Sequence, residues 1–224
     1  MKRNGVRLRI TFSKDGPLAY TSHLDLMRAW ERALRRAGVP LAYSQGFNPR
    51  PRLQLAAALP LGHTGTAELL DVRLERPVTV ASFARTISPV LPAGLAISQV
   101  RQVSLKEPSL PTQVVAAEYQ VAVEWNESVE QIEARIERLL AATKLPRERR
   151  GKQYDLRPLV ERLWLEGREA GGEAALGMQL AAREGATGRP EAVLDALGMG
   201  DAFARYQRRR LMMVTALDDE QRHA

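Results

Sequence analysis

Apolar and polar residues alternate with a period of two in several short segments of the chain. The first segment is VRLRITFSK, residues 6–14, in which Arg7, Arg9 and Thr11 separate the apolar side chains. This period is typical of a half-buried β-strand. The segment therefore predicts a strand with one apolar side and one polar side that carries the two arginines.

The next segment, residues 21–38, follows the period of an amphipathic helix. Thr21 or Ser22 is suited to cap its start, and Gly38 stands just past its end. The helical spacing places an apolar stripe on one side, made of Leu26, Trp30, Ala33 and Ala37. The opposite side is basic and is formed by Arg28, Arg32, Arg35 and Arg36.

The same reasoning predicts the order strand–helix–strand–strand–helix–strand twice. In the first half the remaining elements are strands in residues 52–62 and 67–76, a helix in 79–91 and a strand in 95–105. In the second half they are a strand in 117–125, a helix capped by Ser128, strands in 154–167 and 173–185, a helix starting at Pro190 and a strand in 206–217. This order predicts an α+β fold made of two tandem ferredoxin-like (split βαβ) domains with antiparallel sheets.

The proline-rich stretch KEPSLPTQ has no periodicity and is the best candidate for a linker. We therefore expect a basic N-terminal domain in residues 1–106, a linker in 107–115, a second domain in 116–217 and a tail in 218–224.

The composition of the 224 residues is that of an ordinary globular protein, with 45% hydrophobic and 26% charged residues. No apolar run approaches the roughly 18–20 residues that a membrane span requires. The basic start, MKRNGVRLRITF, lacks the long apolar core of a signal peptide. We expect a soluble, cytoplasmic protein without a membrane partner.

The chain contains no cysteine and only three histidines. The absence of cysteine excludes disulfides, thiol nucleophiles and an iron–sulfur cluster held by this chain. We expect no metal site and no bound cofactor.

The net charge of +7 is unevenly distributed along the chain. Residues 1–106 hold 16 Lys and Arg against 6 Asp and Glu, whereas residues 107–224 hold 17 against 20. A basic half next to a nearly neutral half favours a polyanionic partner such as RNA for the first half. The alternative is an arginine-rich protein that is merely soluble.

The segment YSQGFNPRPR, residues 43–52, combines aromatic, proline and arginine residues. Two prolines exclude regular helix and inner strand, and they stiffen the backbone before any ligand binds. Tyr43 and Phe47 are suited to stacking on bases, with Asn48 beside them, while Arg50 and Arg52 are suited to phosphates. The alternative is a rigid connector with Phe47 in the core and solvated arginines.

Two further stretches are weaker candidates. His23, near the start of the first helix, could act as a general acid or base oriented by Asp25, but a histidine in a capping turn is the better explanation. The stretch RERRGKQYDLRP, residues 147–158, concentrates basic residues around Tyr154, among them Arg149, Arg150, Lys152 and Arg157. It could extend a nucleic-acid surface or be a solvated, mobile loop.

The run YTSHLDLMRAWERALRRAGVPLAYSQGFNPRPRLQLAAALPLG, followed by AELLDV, closely resembles an uncharacterised bacterial family often called the radical SAM-linked protein. GKQYDLRPLVERL and GRPEAVLDAL are similar to later motifs of that family, so the resemblance covers nearly the whole chain. It implies a position beside, or fused to, a B12-binding radical SAM protein and a role around RNA or ribosome maturation. Any iron–sulfur cluster, S-adenosylmethionine or cobalamin would belong to that partner. No catalytic residues are assigned in the family.

These observations favour a non-enzymatic RNA-binding adaptor that presents RNA to a radical SAM or nuclease partner. The residues predicted to contact RNA are Arg28, Arg32, Arg35, Tyr43, Phe47, Asn48, Arg50, Arg52, Arg149, Arg150, Lys152 and Arg157. Two alternatives stay open. One is a protein-interaction module of a radical SAM enzyme without RNA contact, and the other is an RNA-processing or modifying enzyme that uses His23.

Overall fold

Two units make up the chain, and they meet in sequence between residues 114 and 115. The computed structural model describes residues 5–168 and 172–214. The fold is mixed α+β with mostly antiparallel strand pairs, as the sequence predicted. No helix in the described ranges has the length and apolar content needed to span a membrane. The predicted tail, residues 218–224, lies outside the described residues.

The described part of the first unit contains four strands and two α-helices. In chain order they are β1 (Val6–Lys14), α1 (His23–Arg36), β2 (Leu53–Leu55), β3 (His63–Leu74), α2 (Val80–Ile87) and β4 (Leu95–Val103). The strands lie in the order β4-β1-β3-β2, and each neighbouring pair is antiparallel. Ser22 caps α1 by accepting a hydrogen bond from the backbone N–H of Asp25 (3.2 Å).

Two strand boundaries in this unit differ from the prediction. β2 has only three residues instead of spanning 52–62, and Pro60 within the predicted span has no N–H for a strand ladder. β3 already begins at His63, before the start of the strand predicted in residues 67–76.

The core of the first unit lies between the sheet and its helices. The four apolar side chains of β1 are buried, which confirms the alternation, and they pack with α1 and α2. Phe12 meets Trp30 edge to face, with ring centroids 4.9 Å apart. The buried helical residues are Leu26, Trp30, Ala33, Leu34, Phe83 and Ile87.

The opposite face of β1 differs from the polar, open side that alternation suggested. Arg7 and Arg9 are buried, and both bind the buried carboxylate of Asp71 on β3. The Nε of Arg7 donates to Asp71 at 2.6 Å, and the Nε of Arg9 donates to the other carboxylate oxygen at 2.8 Å. A period of two identifies the two faces of a strand, but it cannot show that a later segment covers the second face.

The covering segment is the stretch predicted as a linker. The guanidinium of Arg7 donates to the backbone oxygens of Glu107 and Pro108, each at 3.0 Å. Leu110 is fully buried, and its backbone N–H donates to the side-chain oxygen of Gln54 on β2 (3.2 Å). Residues 107–113 are therefore fastened to the first unit.

The second unit repeats the element order and adds a hairpin and a short strand. Its elements are β5 (Val114–Glu124), α3 (Val129–Ala141), β6 (Pro146–Arg149), β7 (Lys152–Asp155), β8 (Val160–Arg168), β9 (Glu173–Arg183), β10 (Ala186–Thr187), α4 (Pro190–Ala196) and β11 (Ala204–Met213). The main strands lie in the order β8-β9-β5-β11. The predicted cap at Ser128 is confirmed as a capping box with Gln131.

Three arginines of β11 are paired with carboxylates of this unit. Arg205 binds Glu173 at 2.6 Å, and Arg210 binds Glu118 at 2.7 Å. Arg209 binds Glu166 at 2.5 Å. These three arginines of the run RYQRRR are thus held in ion pairs with carboxylates. We therefore do not assign their guanidinium groups to a polyanion site.

Trp164 on β8 lies against Gly177 on β9, and a substitution can test this contact. A Cβ atom added to Gly177 would lie 2.0–2.4 Å from the indole of Trp164. We therefore expect Gly177→Ala to displace the indole and to lower the free energy of unfolding by about 1–3 kcal/mol in urea denaturation. In a Trp164→Ala background the same change should have little effect, whereas equal destabilisation in both backgrounds would contradict this explanation.

Candidate nucleic-acid interface

The segment between α1 and β2 forms a projecting loop with a hydrogen-bonded base. We call residues 44–50 the Phe47 loop. Across its base, the N–H of Ser44 donates to the oxygen of Arg50 (2.8 Å), and the N–H of Arg50 donates to the Ser44 hydroxyl (3.0 Å). Below it, the N–H of Arg52 donates to the oxygen of Ala42 (2.8 Å).

The base is attached to the sheet as well. The N–H of Ala42 donates to the oxygen of Arg73 on β3 (2.8 Å), and the N–H of Arg73 donates to the oxygen of Arg52 (3.0 Å). A bridge between Tyr43 and Pro51 lies between these contacts and the loop. The loop is therefore anchored to the longest strand of the first unit, and only its tip extends away from the sheet.

Phe47 stands at the tip of this loop and is fully exposed, at 106% of its reference area. The alternative that placed this ring in the core is therefore wrong. Its neighbours Gly46, Asn48 and Pro49 are exposed too. Gly46 has a φ of 130°, a backbone conformation that favours glycine. The tip thus offers both faces of an aromatic ring to solvent.

The two arginines beside the tip are available for an anion. Arg50 and Arg52 are exposed, and within residues 5–168 and 172–214 neither guanidinium group has a hydrogen bond or an ion pair. Pro49 and Pro51 fix the backbone on both sides of Arg50. Less conformational freedom is then lost when a ligand binds than in an unconstrained loop.

Tyr43 occupies a different position from Phe47. It is half-buried and packs against the core of the first unit. The guanidinium carbon of Arg35 lies 5.9 Å from the centre of its ring. Tyr43 therefore links the last turns of α1 to the base of the loop and leaves the tip to Phe47.

The arginines of α1 all lie on its exposed side, but they have different neighbours. Arg28 pairs with Asp25 at 3.3 Å, and Arg35 pairs with Glu31 at 2.8 Å. Arg32 instead lines a cavity of about 440 Å³ between α1 and residues 90–92. Exposed ion pairs of this kind are weak and screened by salt, so a phosphate can compete for these guanidinium groups.

His23 begins α1 and is exposed, but Asp25 does not orient it. The Ser22 hydroxyl donates to the Asp25 carboxylate (2.7 Å), and this hydrogen bond, together with Arg28, holds the pKa of Asp25 below its ordinary value. Among the described residues, the imidazole of His23 has no hydrogen bond or ion pair. The predicted orientation of His23 by Asp25 is therefore wrong.

The basic stretch of the second unit forms the hairpin β6–β7 instead of an irregular loop. Arg149, Arg150 and Lys152 are exposed at its end and line a groove of about 610 Å³. Arg157 lies apart, because its guanidinium donates to the backbone oxygens of Leu140 (3.1 Å) and Val160 (2.8 Å). Its role is to hold the chain between α3 and β8.

Arg189 also lines this groove, although the sequence did not assign it a function. It lies in the run GRPEAVLDAL, in which Pro190 indicates a helix start and no local pattern indicates a role for the arginine before it. Repeated basic residues next to a tyrosine were a usable indication of the hairpin cluster. A single arginine from a distant segment gave none.

Within the described ranges, no group of three or more His, Asp or Glu side chains is placed to hold a metal ion.

A protein-family model described as "Uncharacterized protein conserved in bacteria (DUF2344)" matches residues 7–190. The chain belongs to this family. The matched region includes the Phe47 loop, the β6–β7 hairpin and Arg189. A search of curated protein sequences finds no match.

Solved structures show a likeness of fold. A Cbf5–Nop10–Gar1 complex matches with a TM-score of 0.52 and 10% identity, over 91% of this chain and 48% of that chain. An H/ACA RNP bound to a substrate RNA containing 2'-deoxyuridine matches with a TM-score of 0.49 and 10% identity, over 91% and 47%. This chain spans about half the length of the matched chain in each of these two structures.

Proposed function

We propose that this DUF2344 protein is an RNA-binding adaptor whose Phe47 loop holds unpaired nucleotides. One observation carries the proposal: a fully exposed aromatic ring stands at the tip of an anchored loop, beside two arginines without acidic partners in the described residues. A ring in this position can stack on any base, because every base has a flat π face. Arg50 and Arg52 would bind the neighbouring phosphates.

The arginines of α1 would extend this surface towards the helix. Arg28, Arg32 and Arg35 add positive charge on the exposed side of the helix, and Arg35 reaches the base of the loop through Tyr43. A surface of this kind would attract RNA over a distance and then hold it by local contacts. The likeness to Cbf5 complexes concerns the fold alone, and the proposal depends on the loop and its charges.

The fold proposal is that each unit is a ferredoxin-like domain and that the chain is a tandem of two. The strand orders β4-β1-β3-β2 and β8-β9-β5-β11 support it, because both follow the arrangement of a split βαβ unit. The corresponding domains would be residues 1–106 and 116–217.

The partner would be a radical SAM protein or a nuclease. Support comes from the resemblance of residues 20–62 to the radical SAM-linked family. A chain without cysteine cannot ligate a radical SAM cluster. Iron–sulfur, S-adenosylmethionine and cobalamin chemistry would therefore reside in the partner, and this chain would supply the RNA.

A protein-interaction module is the second candidate, and one exposed apolar patch favours it. Tyr20, Leu24 and Leu61 are 77%, 66% and 64% exposed. The N–H of Gly62 donates to the oxygen of Ala19 (2.9 Å), which brings Leu61 next to Tyr20. Co-purification with a radical SAM enzyme that survives nuclease and is lost in Leu24→Ser would support this candidate.

Salt dependence of RNA binding tests the adaptor function. With about four phosphate contacts to a single strand, the affinity should fall roughly 50-fold between about 50 and 200 mM salt. The measurement is fluorescence anisotropy of a labelled oligouridylate titrated with the full chain. The absence of binding at the lower salt concentration, or an affinity that salt does not change, would contradict the proposal.

A further inference from the structure

The groove beside the β6–β7 hairpin is a separate basic site within the second unit. On one side it is lined by the hairpin and on the other by residues 185–189, which include β10. Its volume of about 610 Å³ is in the range of small-ligand pockets. Four cationic side chains line it: Arg149, Arg150, Lys152 and Arg189.

These four cations have no acidic partners in the part of the chain that the structure describes. The one carboxylate on the groove wall, Asp155, is held by the backbone N–H groups of Leu145 (2.8 Å) and Arg157 (3.0 Å). These bonds keep the pKa of Asp155 below its ordinary value. Asp155 therefore fixes the base of the hairpin, and an excess of positive charge remains for a ligand.

In the turn of the hairpin, Arg150 has a backbone conformation that arginine rarely adopts. Arg150 has a φ of 52° and is followed by Gly151 at 75°. A two-residue turn with both φ values positive favours Asn-Gly, and an arginine in its first position is strained. Strained backbone of this kind clusters at active sites and ligand clamps. Here the turn places a guanidinium group on the wall of the groove.

The remaining lining suits the base of a nucleotide. Tyr154, on the same hairpin, is half-buried and presents an aromatic surface to the groove, next to Leu159 and Ala186. An aromatic ring surrounded by cations is the combination by which proteins hold single-stranded nucleic acids.

We propose that this groove binds a short phosphodiester segment of single-stranded RNA. Tyr154 contacts a base, while Arg150 and Arg189 bind phosphates from opposite sides of the groove. This inference deepens the proposed function and rests on it for the identity of the ligand. It adds Arg189 to the RNA-binding residues and gives the strained turn at Arg150 a role.

The test is Arg150→Asn in the full chain, with a labelled oligouridylate as the probe. Asparagine suits this turn better than arginine, so the thermal unfolding midpoint should stay the same or rise. Affinity for the probe should fall roughly three- to ten-fold, and the salt slope should decrease by about one. Arg189→Gln should weaken binding to a similar extent, whereas Arg138→Gln, at an exposed position of α3 outside the groove, should not.

The outcomes separate the two proposals. Wild-type binding that is unaffected by Arg150→Asn and Arg189→Gln, but weakened by Phe47→Ala, would overturn the groove and leave the adaptor function intact. Equal losses in Arg138→Gln would also overturn the groove, because they would show a general effect of charge. If the wild-type chain does not bind the probe at low salt, both proposals fail.

Discussion

Replacing Asp71 with leucine is expected to lower the free energy of unfolding by about 3–5 kcal/mol, because it leaves two buried arginines without their shared counter-charge. Arg7 and Arg9 are 2% and 3% exposed, and both guanidinium groups bind this one carboxylate. Urea denaturation of the full chain measures the total effect. Hydrogen exchange of the β1 amides should show that the loss occurs in the first unit.

A triple variant serves as the matched control for this prediction. Replacing Arg7 and Arg9 with methionine together with Asp71→Leu removes the stranded charges, and apolar packing then recovers much of the lost stability. A stable single variant, or a triple variant that is less stable than the single one, would contradict the described role of Asp71.

Removing the ring of Phe47 and the two cations beside it, Arg50 and Arg52, should have the largest effect on RNA binding. Phe47→Ala should weaken binding by about 1–3 kcal/mol, the range measured for a base stacked on an aromatic side chain. Adding Arg50→Gln and Arg52→Gln should lower the salt slope by about two. Since Phe47, Arg50 and Arg52 are exposed, the unfolding midpoint should not change. Anisotropy titrations at several salt concentrations measure both quantities.

The chain offers matched controls for these changes. Phe203 of the second unit is 60% exposed, so Phe203→Ala removes an exposed ring of the same kind from another surface. Arg85→Gln with Arg101→Gln removes two exposed charges of the first unit from α2 and β4. If these controls weaken binding as much as the loop variants do, the loop has no special role.

The sequence predicted the regular elements well because burial on one face leaves a direct pattern. The alternation in residues 6–14 marks β1, and the stripe around Trp30 marks the buried side of α1. The second face of β1 could not be predicted. Its cover, residues 107–113, lies about a hundred positions away, and prolines in that segment resemble those of a free linker.

The candidate site was partly predictable for a similar reason. Composition indicated residues 43–52, because aromatic and arginine side chains suited to bases and phosphates stand there beside two prolines. It could not distinguish Tyr43, which packs on the core beneath Arg35, from Phe47, which is fully exposed. That difference arises from the hydrogen bonds of the loop base to Arg73, a residue of a later strand.

The cations that line the groove of the second unit were also only partly predictable from the sequence. The local cluster of basic residues indicated Arg149, Arg150 and Lys152. Arg157 belongs to the same cluster, but its guanidinium is bound to backbone oxygens instead. Arg189 reaches the groove from a segment more than thirty residues later along the chain. Contacts between distant segments decide which cations are available, and a local pattern does not contain them.

Ultraviolet crosslinking of the RNA complex, followed by mass spectrometry, shows whether the tip of the Phe47 loop touches RNA bases. Trypsin should release residues 37–52 as one peptide, because Arg50 precedes a proline. We expect a uridine adduct on this peptide, with fragment ions that place it at Phe47. Adducts confined to other peptides, under conditions in which the wild-type chain binds the RNA, would contradict it.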